Sequence, residues 1–192
     1  MANKILHKTL VSLVIMSGWA SVTAQPVTWD VIEERSFISF SGTQTGNPFE
    51  GQFSVFDVEI EYSPTEPESA RVLATIETKS AVTGDSQRDD ALPGKDWFNV
   101  AAFPNITFST DGFQQNGVDN FVANGVLTVL GVEHELSLPF ALTLADNVAI
   151  MDSSVVLNRQ LLGIGSGPWS EGKWVGLDVT VKIHIEATRG QP

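Results

Sequence analysis

The sequence predicts an all-β fold. Three observations lead there: short runs of alternating apolar and polar residues, bounding clusters of Gly, Pro, Asn and Asp, and the lack of any sustained 3.6-residue periodicity beyond Gln25. The runs are Ser36 to Ser41, Gly51 to Glu61, Ala70 to Lys79, Asn105 to Thr110, Asn120 to Leu130, Glu133 to Ala145, Val148 to Leu157 and Trp174 to Ala187. Eight strands at this spacing fit a barrel or a sandwich. The last run favours the barrel: Val175, Leu177, Val179, Val181, Ile183 and Ile185 alternate with polar residues, giving one dry and one wet face over a length that a curved wall needs.

The segment from Gly84 to Pro104 breaks this pattern. Asp85 is placed to cap a short helix over Ser86 to Leu92, which Pro93-Gly94 ends, and Asp96 to cap a second turn through Val100. Trp97, Phe98 and Phe103 need burial, so the segment reads as a helical lid or plug over one end of the sheet. Ser63 to Glu68 reads as a solvated hairpin loop.

Before the strands, Met1 to Ala24 runs from a basic start (Lys4, Lys8) through an apolar stretch into small residues, the pattern of a secretory signal peptide. The apolar stretch from Leu10 to Ala20 is shorter than the ~20 residues of a membrane-spanning helix, so stable membrane insertion is not expected. Cleavage after Ala24 leaves residues 25–192 as one domain. The whole chain carries a net charge of −12. That field repels phosphate backbones, and no basic run offsets it, which argues against nucleic acid as a partner. The sequence contains no Cys, so stability after export rests on packing alone.

Catalytic and metal-binding patterns are thin. Beyond the leader the histidines are His134 and His184, with no Cys to complete a metal set. Gly163 to Pro168 (G-I-G-S-G-P) fits neither a dinucleotide fingerprint nor a nucleophile elbow, and reads as turn glycines. Glu33-Glu34 point to opposite faces if extended; Asp89-Asp90 near a helix start are accounted for by the macrodipole. No enzyme activity, metal or cofactor is expected. What the chain has in excess is 11 Phe and 5 Trp, which either fill an ordinary core or line a ligand cavity.

An ordered series of motifs separates these. W-D at Trp29, S-F-I-S-F from Ser36, F-E-G-Q-F-S-V-F from Phe49 and R-D-D-A-L from Arg88 are followed by D-W-F-N-V-A-A-F-P-N-I-T-F from Asp96, A-N-G-V-L-T-V-L-G-V from Ala123 and N-R-Q-L-L-G-I-G from Asn158. Together they resemble the YceI-like family from Trp29 to Ala187. The resemblance implies an antiparallel, lipocalin-like eight-stranded barrel with a short helical lid. It also implies a non-enzymatic periplasmic protein that carries an isoprenoid lipid, a quinone or a similar long-chain amphiphile in an apolar tunnel. The competing expectation is a stress-response or interaction module with a filled core and no dedicated ligand. A homodimer is compatible with either.

Motif position and strand phase then nominate Ile38, Phe40, Phe53, Phe56, Ile76, Leu127, Leu142 and Ile164 as tunnel residues, with Leu92, Trp97, Phe98 and Phe103 from the lid. Arg88 and Arg159 lie inside family motifs. They are expected to pair with Asp85, Asp89 or Asp96, the alternative being contact with a ligand head group. Trp169 and Trp174 are nominated either for the tunnel mouth or as braces of the last hairpin. Two departures from the family stand out. Its Thr-Lys is Glu133-His134 here, which removes a cation that an anionic head group would use, and its Phe before the late Gly is Leu162.

Overall fold

The structure, a computed structural model, describes residues 27–190. The leader, with the expected cleavage after Ala24, lies outside the described residues. Eleven strands run in chain order: β1 (Thr28–Val31), β2 (Phe37–Gln44), β3 (Asn47–Phe53), β4 (Phe56–Glu61), β5 (Arg71–Glu77), β6 (Ala81–Val82), β7 (Asn105–Gln115), β8 (Asn120–Val129), β9 (Val132–Ala145), β10 (Val148–Asn158) and β11 (Asp178–Arg189). One helix, α1 (Ser86–Ala91), lies between β6 and β7.

Every pairing is antiparallel, and β11 pairs with β1 as well as β10, so the sheet closes on itself. The closed ring has eight positions because three pairs of short strands each act as one broken strand. β1 and β2 lie in tandem along β11, β4 and β3 pair with them in turn, and β5 and β6 pair with β4 and β3. Closure leaves no long free sheet edge, and the alternating side chains put one set inside.

The breaks correct the single strand expected over Gly51 to Glu61. The run starts earlier, at Asn47, and is interrupted after Phe53, where the Ser54 N–H donates to the Ser80 carbonyl (3.2 Å) and the Glu77 N–H to that of Val55 (3.1 Å). The bend in one strand therefore faces the 3-10 turn Thr78–Ser80 in its neighbour. Aligned bends let the wall curve without losing backbone hydrogen bonds. β7 also runs on to Gln115, past a register shift between Thr110 and Phe113. The last strand begins only at Asp178, opposite Asn158; Val175 makes an isolated bridge to Gln44.

The ladder between β9 and β10 stops at Phe140 opposite Ser153, although both strands continue toward the lid end. Pro139 has no N–H to extend it, and its carbonyl accepts the Ser153 hydroxyl (2.7 Å).

The candidate ligand cavity

Strand alternation sends one set of side chains into the barrel, and they do not fill it. An apolar cavity of about 380 Å³ runs along the interior, lined from all eight wall positions. Phase decides membership: Val179, Val181, Ile183 and Ile185 of β11 line it, and so do Leu136, Leu138, Phe140 and Leu142 of β9. At the end away from the lid, Trp29 and Tyr62 close the barrel, the indole N–H donating to the Tyr62 carbonyl (3.0 Å). The Phe113 and Phe140 rings meet edge to face at 4.9 Å beside them. Burial pushes the Tyr62 phenol pKa up, which favours its neutral form.

The other end is closed by the lid. Asp85 caps α1 by accepting the Arg88 N–H (3.0 Å), as its position before Ser86 predicts. Asp89, on the same helix, accepts from the Thr83 N–H (2.8 Å), the Thr83 hydroxyl (2.6 Å) and the Gly84 N–H (3.2 Å). The Thr83 hydroxyl bond, followed by those backbone bonds and the charge of Arg88, holds the Asp89 carboxyl below its ordinary range. After Pro93-Gly94 the chain turns again toward Val100, as expected, but the Asp96 side chain does not cap that turn. Asp96 is used differently: its carbonyl accepts the N–H groups of Gly165 and Ser166 (both 2.8 Å) and its carboxylate accepts the Ser166 hydroxyl (3.1 Å). The lid is thereby stapled to the loop between β10 and β11. Phe98, 7% exposed, meets Phe53 at 5.8 Å, and Trp97 meets Trp169 at 5.7 Å.

The two arginines correct the expectation that they pair with acids: among the described residues neither makes a salt bridge. Arg159 is 3% exposed. Its Nε donates to the Gly176 carbonyl (2.9 Å), Nη1 to those of Ile164 (2.9 Å) and Gly165 (3.4 Å), and Nη2 to those of Trp169 (2.6 Å) and Val175 (2.7 Å). All five N–H groups of a guanidinium are thus used on the backbone of one loop. Burial without a counter-charge lowers the Arg159 pKa. Arg88 is half-buried; its Nε donates to the Thr83 hydroxyl (2.9 Å) and its Nη1 to Gln44 Oε1, with the guanidinium carbon 4.5 Å from the centre of the Phe49 ring. The pairing rule fails because carbonyl dipoles and an amide supply what carboxylates were expected to.

Of the residues nominated from sequence, Ile38, Phe40, Phe53, Ile76, Leu127 and Leu142 line the cavity from the wall. Arg88, Leu92, Trp97 and Phe98 line it from the lid, and Arg159, Ile164 and Trp169 from the β10–β11 connection. Two do not. Phe56 has the phase of Val58 and Ile60 but sits at the bend that opens β4, and phase gives direction without depth. Phe103 lies against Gly131 at the β8–β9 turn, where an added Cβ would come within 2.8 Å of its ring. Trp174 is 49% exposed, with the Lys173 ammonium 5.2 Å over its ring, and does not line the cavity. His134 is half-buried and does not line the cavity, with its Nε2 buried and unpartnered among the described residues.

Sequence reasoning missed Trp29, Tyr62, Phe108, Phe113 and Phe140, which lie on the same inner face. The signal was there for two of them: Phe108 follows Ile106 in phase, and Leu138, Phe140 and Leu142 alternate along one strand, whereas Phe113 lies past the register shift of β7, which breaks its phase with Phe108. Trp29 and Tyr62 carried none, because β1 is only four residues long and Tyr62 lies just past the end of β4.

Comparison with known proteins agrees with this geometry. The chain is 28% identical to Protein YceI of Salmonella arizonae over 187 residues, covering 97% of this chain and 86% of the relative. The crystal structure of Burkholderia cenocepacia BcnA matches with a TM-score of 0.79 at 26% identity, over 83% of this chain and all of that one. A polyisoprenoid binding domain from Saccharophagus degradans shares the fold, with a TM-score of 0.67 at 12% identity over 86% of this chain and all of that one. The model of the YceI-like domain matches residues 29–187, the span of the closed barrel and its lid, and the chain therefore belongs to the YceI-like family.

Proposed function

We propose that this protein is a non-enzymatic periplasmic carrier that holds an isoprenoid lipid, a quinone or a similar long-chain amphiphile inside the barrel. The observation that supports this most is the cavity itself: about 380 Å³ of space walled by aliphatic and aromatic side chains. Interiors are normally packed to crystal density, so a void of this size forfeits contacts that the fold would otherwise gain, and it lies within the range of small-molecule sites. A filled core with no ligand has no such space. Its shape favours a chain over a compact ring system, since it follows the barrel from the Trp29–Tyr62 end to the lid. The Saccharophagus domain, alike in fold, is described as binding a polyisoprenoid.

An unbranched or prenyl tail offers apolar surface alone, so burial at ~25 cal/mol per Å² is the main source of affinity. Release into the periplasm matches the signal-peptide pattern and the excess of acidic residues, which keeps a lipid carrier soluble and off anionic membranes.

Native mass spectrometry of gently purified protein, followed by organic extraction, tests the proposal. A mass increment that extraction removes and identifies as a long-chain lipid is the expected result. Protein at its bare mass, together with no change in tryptophan fluorescence when a long-chain prenyl quinone is added, would overturn it.

A further inference from the structure

We infer that Arg88 is the head-group contact of this cavity, and that the head group it selects is a planar oxygen acceptor carrying at most one negative charge, such as a carboxylate or a quinone carbonyl. This rests on the carrier reading above and deepens it. The argument begins with donor accounting. Arg159 spends all five N–H groups on loop carbonyls, so it has nothing left to offer a ligand. Arg88 spends two. Its other three N–H groups meet no acceptor among the described residues, and it lines the cavity.

The side chain is nevertheless held from three sides. The Thr83 hydroxyl accepts from Nε while donating to Asp89, so the helix carboxylate fixes the hydroxyl and the hydroxyl fixes the guanidinium. Gln44 Oε1 accepts from Nη1 on the opposite flank, and the Phe49 ring lies under the guanidinium face. What remains free is the Nη2 edge and one N–H of Nη1. That edge is a donor fork whose natural complement is a pair of oxygens in one plane. Orientation is settled before a ligand arrives, so little rotamer freedom is lost on binding.

The charge limit follows from what surrounds the fork. Besides the indoles of Trp29, Trp97 and Trp169 and the Tyr62 phenol at the far end, the other polar side chains lining the cavity among the described residues are Gln44, Gln87, Thr110 and Arg159. Thr110 is buried with its hydroxyl committed to the Asn124 and Gly112 carbonyls (2.8 and 3.1 Å). Arg159 adds positive charge to the lining but no free N–H, so Arg88 is the one cation able both to pair with and to hydrogen-bond a negative head group, in a chain whose overall field is strongly acidic. A diphosphate would bring more charge than the one guanidinium with free donors can pair. Gln87, lining the cavity beside Arg88, offers an amide donor to a second oxygen.

The test uses one tail with four ends: geranylgeranoic acid, geranylgeraniol, geranylgeranyl diphosphate and the matching hydrocarbon. Binding to the full mature protein is followed by tryptophan fluorescence and calorimetry. Wild type is expected to bind the acid about ten-fold or more tighter than the hydrocarbon, and tighter than the diphosphate. Arg88→Gln is expected to erase the preference for the acid, lowering acid affinity about ten-fold or more with a much smaller change for the hydrocarbon, which a merely structural role would not produce. Gln44→Ala keeps the cation and loses one orienting partner, so it should weaken the acid selectively and by less, and it serves if Arg88→Gln fails to fold. Tightest binding of the diphosphate, equal acid affinity in wild type and variants, or equal loss of acid and hydrocarbon would each overturn the assignment and leave the carrier reading standing. Failure of wild type to bind any of the four would remove both.

Discussion

Gly165 and the Arg159 guanidinium occupy adjoining space so tightly that a Cβ built on Gly165 would fall on Nη1 of Arg159. The glycine also has φ of +83°, in the left-handed region, and its N–H donates to Asp96 of the lid. One residue thus allows the loop to turn, the buried cation to pass and the lid to attach. Gly163 and Gly167 flank it with φ of +76° and +60°, which gives the G-I-G-S-G-P stretch its role as a turn that wraps an arginine.

Gly165→Ala is expected to destabilise the protein by about 2 kcal/mol or more, combining the left-handed backbone penalty with displacement of the guanidinium. Arg159→Met should cost ~3 kcal/mol or more, because five loop carbonyls lose their donor at once. Arg159→Lys should recover only part of this, since three donors on a flexible stem do not span the same five acceptors. Urea unfolding of the three variants measures the order. Wild-type stability in Arg159→Met would show that the loop holds its shape without the cation.

Phe98→Ala removes a ring that lines the cavity and packs edge-on against Phe53. Its loss should weaken long-chain lipid binding by ~1 to 3 kcal/mol, roughly ten- to hundred-fold in Kd. Titration with a prenyl quinone, whose ring system quenches the cavity tryptophans, reads the change in protein shown by circular dichroism to be folded. Equal binding by the two proteins would take Phe98 out of the site.

His184 lies on the outer wall, its Nδ1 2.7 Å from an Asp152 carboxylate oxygen and its Nε2 3.6 Å from one of Glu186. The Asp152 hydrogen bond, with the charges of Asp152 and Glu186, raises its pKa above the ordinary 6.5. The protonated form is thus favoured in the folded state. Its contribution to stability is complete below pH ~6.5 and fades as pH rises through the higher folded value. The melting temperature of wild type relative to His184→Asn should therefore be larger at pH 5.5 than at pH 8.5. A pH-independent difference would show that the pair acts through packing with Phe37, whose ring stacks on the imidazole at 5.3 Å.

Expression of the whole chain in a Gram-negative host should deliver to the periplasm a protein that begins at Gln25, because Val22 and Ala24 supply the small residues that a signal peptidase needs. N-terminal sequencing of the periplasmic fraction checks this. Recovery of membrane-bound material that retains Met1 or Ala2 would show the leader to be an anchor.

By itself the sequence determined the all-β class, most strand positions and the short lid helix, because each follows from local rules: period-two alternation, turn residues, and a carboxylate one residue before a helix start. The face of β11 that points inward was legible for the same reason. Closure of the barrel was not, since it depends on β1 reaching β11 across most of the chain, and a four-residue strand carries too little pattern to announce a partner. Depth was not legible either: Phe56 has an inward phase yet sits at a bend, and Phe103 lies against Gly131 outside the cavity. The two motif arginines look equivalent as letters. Only the tertiary structure decided that Arg159 is saturated by a loop folded around it while Arg88 keeps three N–H groups without a partner among the described residues, because hydrogen-bond satisfaction is set by which acceptors the folded chain brings within reach.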